Sequence, residues 1–419
     1  MRKRVLILSH HYYPANRPPA HRIAKFAKYL PKFGWEPVVL CSDWRPHIKT
    51  VHADPGLLRN DTCQTIRVPF RINRPFSIPG LRDRLLQHLW PPLYPHQVQR
   101  AMRIYALEVS SNQRFDAIIA SAPPQMTLAA ASVVSPLLHI PWIADLRDLP
   151  TELHPKSLLR GWQMSLLERA CASANALVTV SDHLASLLAS RNQQPVFQVF
   201  NGFDPDDYPA IDHHPSAIFT IVYAGSIYEG RNPDILFDAL DHILLDRQSD
   251  LSQLRVRFYT PQPRSPQLRV NHRPCAKLVE IVSKVPFHDI ITIEQSASVL
   301  LFLSHIKTKG IMTSKIFEYL GARRPILSIP GDADCTDALL RETGAGLVAR
   351  TRQEAARIIL AWYQTWIRDQ HLPYHPQPEK LARYTRFKQT ACLADILSDA
   401  VSNLNYARNC RKSSTLDPS

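Results

Sequence analysis

Short apolar runs recur along the chain, and most are followed by a stretch whose apolar residues fall three and four apart. The first run, residues 5–9, lacks polar alternation, which predicts a strand buried on both faces. A Pro-rich loop over 10–19 leads into a helix over 20–33, with Ile23, Phe26, Ala27 and Leu30 on one stripe and Gly34 at its end. Residues 36–41 form the second strand, and strand–loop–helix–strand is the βαβ unit of a parallel sheet. Strands at 115–121, 141–145, 176–180 and 195–200 then alternate with helices near 125–137, 158–174 and 182–190. The stretch 208–217, with Pro209, Pro215 and a His-His pair, reads as a linker. A second array follows, with strands at 219–224, 254–259, 299–303 and 325–329 and helices at 234–246, 314–321, 354–369 and 386–404. A Pro/Arg-rich insertion over 262–273 interrupts it.

This pattern predicts an α/β chain of two doubly wound, Rossmann-like parallel-sheet domains, over 1–210 and 211–380, then a helix over 381–407 and a disordered tail over 408–419. The length of 419 residues agrees, being too great for one ordinary core. The 12 glycines against 35 prolines imply stiff loops and exclude a phosphate loop built on a run of glycines. The 7 cysteines are scattered without CxxC spacing, so they suggest neither a disulfide framework nor a zinc site, and fit a reducing cytosol. The apolar run after Met1 ends before His10, short of the about 7–15 residues of a secretory signal. Residues 126–144 are interrupted by Pro136, His139 and Pro141, which spoils a spanning helix of about 20 residues. The expected location is the cytoplasm, with any membrane contact peripheral, on the inner face of the plasma membrane.

The net charge of +14 suits nucleic acid, anionic lipid or phosphorylated small molecules. Much of it lies in 67–103, where Arg67, Arg71, Arg74, Arg82, Arg84, Arg100 and Arg103 meet a single acid, Asp83. Solvated loops explain that segment, and so does docking on an anionic membrane surface, with Leu85, Leu86, Leu89 and Trp90 inserting between headgroups. No nucleic-acid-binding module surrounds the arginines, so nucleic acid is not an expected partner.

The most informative segment is Lys309-Gly-Ile-Met-Thr-Ser-Lys-Ile-Phe-Glu-Tyr-Leu-Gly-Ala-Arg-Arg-Pro-Ile-Leu. Thr313 or Ser314 can cap the helix that follows, and a helix start offers unpaired N–H groups and positive dipole charge to a diphosphate. Lys315 adds a full charge in the first turn, and Glu318, one turn on, can accept from a ribose diol. The alternative is an ordinary ion pair on a solvated face. The flanking strands argue for the site, because they set this helix start at the carboxyl edge of a parallel sheet, where open α/β folds bind ligands.

With these residues the chain resembles the retaining glycosyltransferases of the GT-B fold, glycosyltransferase family 4 (group 1) in particular. Lys25-Phe-Ala-Lys-Tyr-Leu-Pro-Lys-Phe-Gly-Trp-Glu-Pro-Val-Val-Leu is similar to that family's first helix and second strand. Pro141-Trp-Ile-Ala-Asp-Leu-Arg-Asp, Val178-Thr-Val-Ser-Asp, Asn201-Gly-Phe-Asp and Val222-Tyr-Ala-Gly-Ser-Ile-Tyr-Glu-Gly-Arg are similar to strand ends and loops lining its cleft. The resemblance implies two domains facing across a cleft, with the last helix crossing back to the first domain. It implies that Arg231 and Lys315 neutralise a leaving diphosphate, that Glu318 binds ribose as the second glutamate of an E-x7-E motif, and that Gly225 and Ser226 let backbone approach the phosphates. It also implies a nucleotide diphosphate-sugar donor as co-substrate, a saccharide or lipid-linked acceptor in cell-surface polysaccharide biosynthesis, and catalysis without a bound metal or cofactor.

Two departures stand out. The first glutamate of E-x7-E falls on Gly310, and the loop after the first strand, His11-Tyr-Tyr-Pro-Ala-Asn-Arg-Pro-Pro-Ala-His-Arg, has no glycine. On the acceptor side the candidates are His11, Arg22, Arg147 and Asn201, with Asp145 and Asp148 as catalytic carboxylates that orient a hydroxyl. Asp145 can equally cap a helix, and Arg147 can pair with Asp148. A non-catalytic GT-B scaffold subunit, a nucleotide-sugar epimerase and a basic nucleic-acid-binding protein are the competing functions.

Overall fold

The computed structural model describes residues 2–47, 53–61, 63–70, 96–150, 159–209, 217–227, 231–245, 250–265, 268–283, 285–305 and 309–414. The chain divides into two compact units, one of residues 1–200 and 386–419, the other of 201–385.

The first unit is built on seven parallel strands: β1 (Lys3–Ser9), β2 (Trp35–Ser42), β3 (Gln64–Val68), β4 (Ala117–Ala122), β5 (Trp142–Leu146), β6 (Ala176–Thr179) and β7 (Val196–Gln198). Their order is β3-β2-β1-β4-β5-β6-β7, a doubly wound arrangement. The central strands are apolar on both faces because helices cover both, and Val5, Leu6, Ile7 and Leu8 are fully buried. The first helix, Pro18–Tyr29, tightens into a 3₁₀ turn over Leu30–Phe33 and stops at Gly34, whose φ of 81° glycine adopts without strain.

The second unit holds six parallel strands: β8 (Phe219–Ala224), β9 (Leu254–Thr260), β10 (Val279–Ser283), β11 (Val299–Leu303), β12 (Ile326–Ile329) and β13 (Gly346–Val348). Their order is β10-β9-β8-β11-β12-β13. The helix Arg352–Asp369 seals this core, its Tyr363 and Trp366 rings lying 5.6 and 5.8 Å from Phe219. Strands β3, β10 and β13 were not expected from the pattern. All three are sheet edges with mostly half-buried side chains, so they lack the continuous apolar run of the interior strands.

The final helix, Arg386–Ser414, belongs to the first unit. Phe387 packs at 5.7 Å on the Tyr29 ring and 5.0 Å on that of Phe33, and Gln389 Oε1 accepts a 2.6 Å hydrogen bond from the Phe200 amide. Its backbone stays helical to Ser414, so the helix overruns the tail expected from 408. Among the described residues, no helix is long and apolar enough to cross a membrane.

One ion pair ties the first unit together. Arg22 and Asp145 have side chains 0% and 1% exposed and meet at 2.9 Å. The Arg22 guanidinium also donates to the carbonyls of Phe200 at 2.8 Å and Val199 at 3.0 Å, joining the first helix to β5 and to the end of the unit's chain. Ser121 donates to the other Asp145 oxygen at 2.8 Å. Removing one partner strands the other's charge out of water, so Arg22→Ala should cost about 3–5 kcal/mol, read as a lowered urea midpoint of unfolding.

Candidate functional site

In the second unit β8, β11 and β12 are parallel neighbours, so the loops after them leave the same edge of the sheet. Residues 225–227, 231, 304, 305, 309, 310 and 330–334 therefore gather there, with the start of the helix Ser314–Ala322. Ser304 and Ser328 hydroxyls meet at 2.9 Å, and the Gly310 amide donates to Asp334 at 2.5 Å. Gly310 has φ 76°, which suits glycine and would strain the glutamate of the E-x7-E motif.

Thr313 is the N-cap residue, but its side chain makes no capping hydrogen bond, and its buried Oγ1 has no partner among the described residues. The first turn contains no acidic residue to offset the dipole. Lys315, just inside the helix, lies 3.1 Å from Oε1 of Glu294 and pairs with Oε2 of Glu318. Burial works against its ammonium, yet the two carboxylates outweigh burial and hold Lys315 above its usual range. Burial pushes the Glu294 carboxyl up to about 7, against the pull of Lys315 and with the push of Glu318.

A continuous set of contacts runs from this triad to the loop after β8. The Lys315 ammonium sits 5.7 Å from the centre of the Tyr319 ring, and Tyr319 Oη accepts a 3.1 Å bond from the Ala224 amide. Next in the chain is Gly225, where a Cβ would stand 3.2 Å from Tyr223 Oη and 3.6 Å from an Arg231 nitrogen. Tyr223 Oη accepts from Arg231 at 3.2 Å and donates to the Ser226 carbonyl at 2.8 Å. Arg231 Nε donates at 3.4 Å to Nε2 of His305, whose pKa is lowered to about 4 by burial and then by the guanidinium charge. His305 is thus neutral and able to accept. Lys315, Glu318, Thr313, Ser314, Gly225, Ser226 and Arg231 all sit at this one edge.

Glu294 and His305 were absent from the sequence reading. Glu294 lies three residues after buried Ile291 on the helix Phe287–Ser296, so an acid on an apolar stripe was the available signal. His305 comes two residues after the end of β11, a position at the edge.

In the first unit three of the candidate residues are held in buried contacts. Asp145 and Arg22, read as catalytic and acceptor-side, are both out of solvent and committed to one another. Arg147 is also buried: it donates to the Ser121 hydroxyl at 3.1 Å and the Pro123 carbonyl at 2.5 Å, which pins the β4 and β5 ends together. Asp148 is exposed, and Asn201 is buried at the start of the second unit. His11 is half-buried, its ring 5.2 Å from that of Trp44.

The glycine-free loop is held by side chains instead. Tyr12 donates to Asp61 at 2.9 Å, Arg67 donates to the Tyr13 carbonyl at 2.6 Å, and His10 Nδ1 meets Ser42 at 2.7 Å. Of the arginine-rich segment, Arg67, Arg100 and Arg103 are described, while Leu85, Leu86, Leu89 and Trp90 lie outside the described residues.

Two Rossmann-like units, each on a parallel sheet, define the GT-B class, and this chain has that fold. The Anabaena HepE protein, solved with UDP and glucose, is 15% identical, with a TM-score of 0.57 over 98% of this chain and 100% of that one. Sucrose-phosphate synthase from Thermosynechococcus elongatus is 14% identical, with a TM-score of 0.59 over 99% and 100%. The N-terminal domain of Candida albicans trehalose-6-phosphate phosphatase is 12% identical, with a TM-score of 0.64 over 95% and 97%. Residues 20–207, a little under half of the chain, match the model of Glycosyltransferase Family 4. No curated protein sequence matches the chain.

The hydroxyl of Tyr223 links Arg231 to the Ser226 carbonyl, so Tyr223→Phe tests the frame of the site. It should lower stability by about 1 kcal/mol, measured by urea unfolding, because two buried hydrogen bonds are lost.

Proposed function

We propose that the protein is a retaining glycosyltransferase that moves a sugar from a nucleotide diphosphate-sugar to a saccharide or lipid-linked acceptor in cell-surface polysaccharide biosynthesis. The observation that carries this reading is the helix start at Ser314, uncapped by its Thr313 side chain, with one ammonium and one partly exposed carboxylate beside it at the carboxyl edge of a parallel sheet. The amides and Lys315 suit a diphosphate, and Glu318, 24% exposed, suits the diol of a ribose. The HepE protein of the same fold was solved with UDP and glucose, which supports a nucleotide-sugar donor.

In the proposed reaction the bond between the anomeric carbon and the phosphate oxygen breaks, and the nucleoside diphosphate leaves with the electron pair. The acceptor oxygen forms the new bond on the same face, and its proton passes to the departing phosphate. Lys315 and Arg231 stabilise the charge that grows on that phosphate, in place of magnesium. Turnover should accordingly persist in EDTA. Membrane contact through 67–103 brings a lipid-linked acceptor to the enzyme.

A second reading, a non-catalytic GT-B subunit, is favoured by one observation: Lys315 is already paired with two carboxylates, and Gly310 supplies none for the sugar. Thermal-shift screening of nucleotide sugars, followed by transfer assays, separates the two. Lys315→Ala and Glu318→Ala should each lower turnover on the order of 10²-fold, since each removes a charge-assisted contact of a few kcal/mol. Undiminished transfer in both variants would remove the site assignment, and nucleotide binding without transfer would support the scaffold.

A further inference from the structure

The two carboxylates that hold Lys315 are placed differently. Glu318 lies one turn along the same helix and is 24% exposed, whereas Glu294 comes from the neighbouring helix Phe287–Ser296 and is 1% exposed. A carboxylate so enclosed reaches a ligand only through what it touches, and it touches the Lys315 ammonium at 3.1 Å. We propose that Glu294 is a positioning residue: it holds the Lys315 ammonium from within the fold and, by its own charge, sets how much of that ammonium's charge a donor diphosphate meets. The proposal rests on the nucleotide-sugar reading of the site.

With both carboxylates ionised the triad carries a net negative charge, and with Glu294 protonated it is neutral. A diphosphate is received better beside the neutral form, so binding draws a proton onto Glu294. The surroundings permit this. Tyr319, on the facing helix, is uncharged, since burial raises its hydroxyl far above neutrality. Strand β8, packed against the Glu294 helix, is Phe-Thr-Ile-Val-Tyr-Ala and brings no charge. His288 and Asp289 lie exposed at the other end of the same helix, and Arg324 is directed to the Gln295 carbonyl at 2.6 Å. Lys315 and Glu318 are therefore the charged side chains that face Glu294 among the described residues. With its carboxyl pushed up to about 7 by burial, Glu294 changes charge near neutral pH.

UDP-glucose and GDP-mannose are suitable probes, because their phosphates keep a constant charge between pH 6 and pH 8. For the wild-type chain, calorimetry should show affinity for the probe falling on the order of 5-fold from pH 6 to pH 8, since uptake of one proton by a group titrating near 7 limits the change over those two units to about tenfold. Titration in two buffers of different ionisation enthalpy should show proton uptake at pH 7. Glu294→Gln should flatten the pH profile and bind more tightly than wild type at pH 8, whereas Glu294→Asp should keep the slope. Far-UV circular dichroism checks that each variant is folded. An equal slope in wild type and Glu294→Gln, or no proton uptake by the wild type, would overturn the role of Glu294. Failure of both probes to bind at any pH would instead overturn the nucleotide-sugar reading, and this proposal with it.

Discussion

The parallel pairing of β8, β11 and β12 is the constraint on which the candidate site depends. Parallel neighbours end on the same side, so loops far apart in the chain must meet there, whatever their own sequences prefer. That is how Tyr223, Arg231, His305 and Lys315 come to share one edge. The strands can be short because each is buried on both faces, as Leu300, Leu301, Ile326 and Leu327 are. The hydroxyl of Tyr319 then fastens the helix carrying Lys315 to the last residue of β8, so that the ammonium and the loop after β8 are fixed by a single side chain.

Each unit contains a buried ion cluster, and the two are built for different ends. Around Asp145 the donors are complete: Arg22 serves both carboxylate oxygens, Ser121 serves one of them, and no part reaches water. Such a cluster fixes geometry, and its worth shows when one partner is removed. Around Lys315 two acids face one base, and one side is open, with Lys315 18% and Glu318 24% exposed. The excess acid sits beside the positive end of a helix that its N-cap residue, Thr313, does not cap with its side chain.

The interior of both sheets was legible in the chain because helices on both faces turn each central strand into an unbroken apolar run. The edge strands β3, β10 and β13 were not, since a strand with one neighbour buries only part of its surface and reads as mixed. The Lys315 and Glu318 pairing was visible because both residues lie on one turn of one helix. Glu294 was not, because its partner is 21 residues away in sequence and only packing brings them together. Asp145 was left open between two roles for a related reason. An acid at the end of a strand looks the same in sequence whether it faces a ligand or, as here, an arginine 123 residues away.

Those two cases point to a general asymmetry in reading charge from a chain. An acid on an apolar stripe, as Glu294 follows Ile291, cannot remain ionised without a cation, so its presence implies a partner even where the partner is unknown. Arg22 falls between Ala20, Ile23 and Ala24 on the first helix in the same manner, and its partner is Asp145. What separates a structural pair from a ligand site is then the balance of charge and the access of water. Asp145 and Arg22 are matched one to one and sealed. Glu294, Lys315 and Glu318 are unmatched and open on one side, and their excess negative charge is one that a proton on Glu294 can settle when an anion binds there.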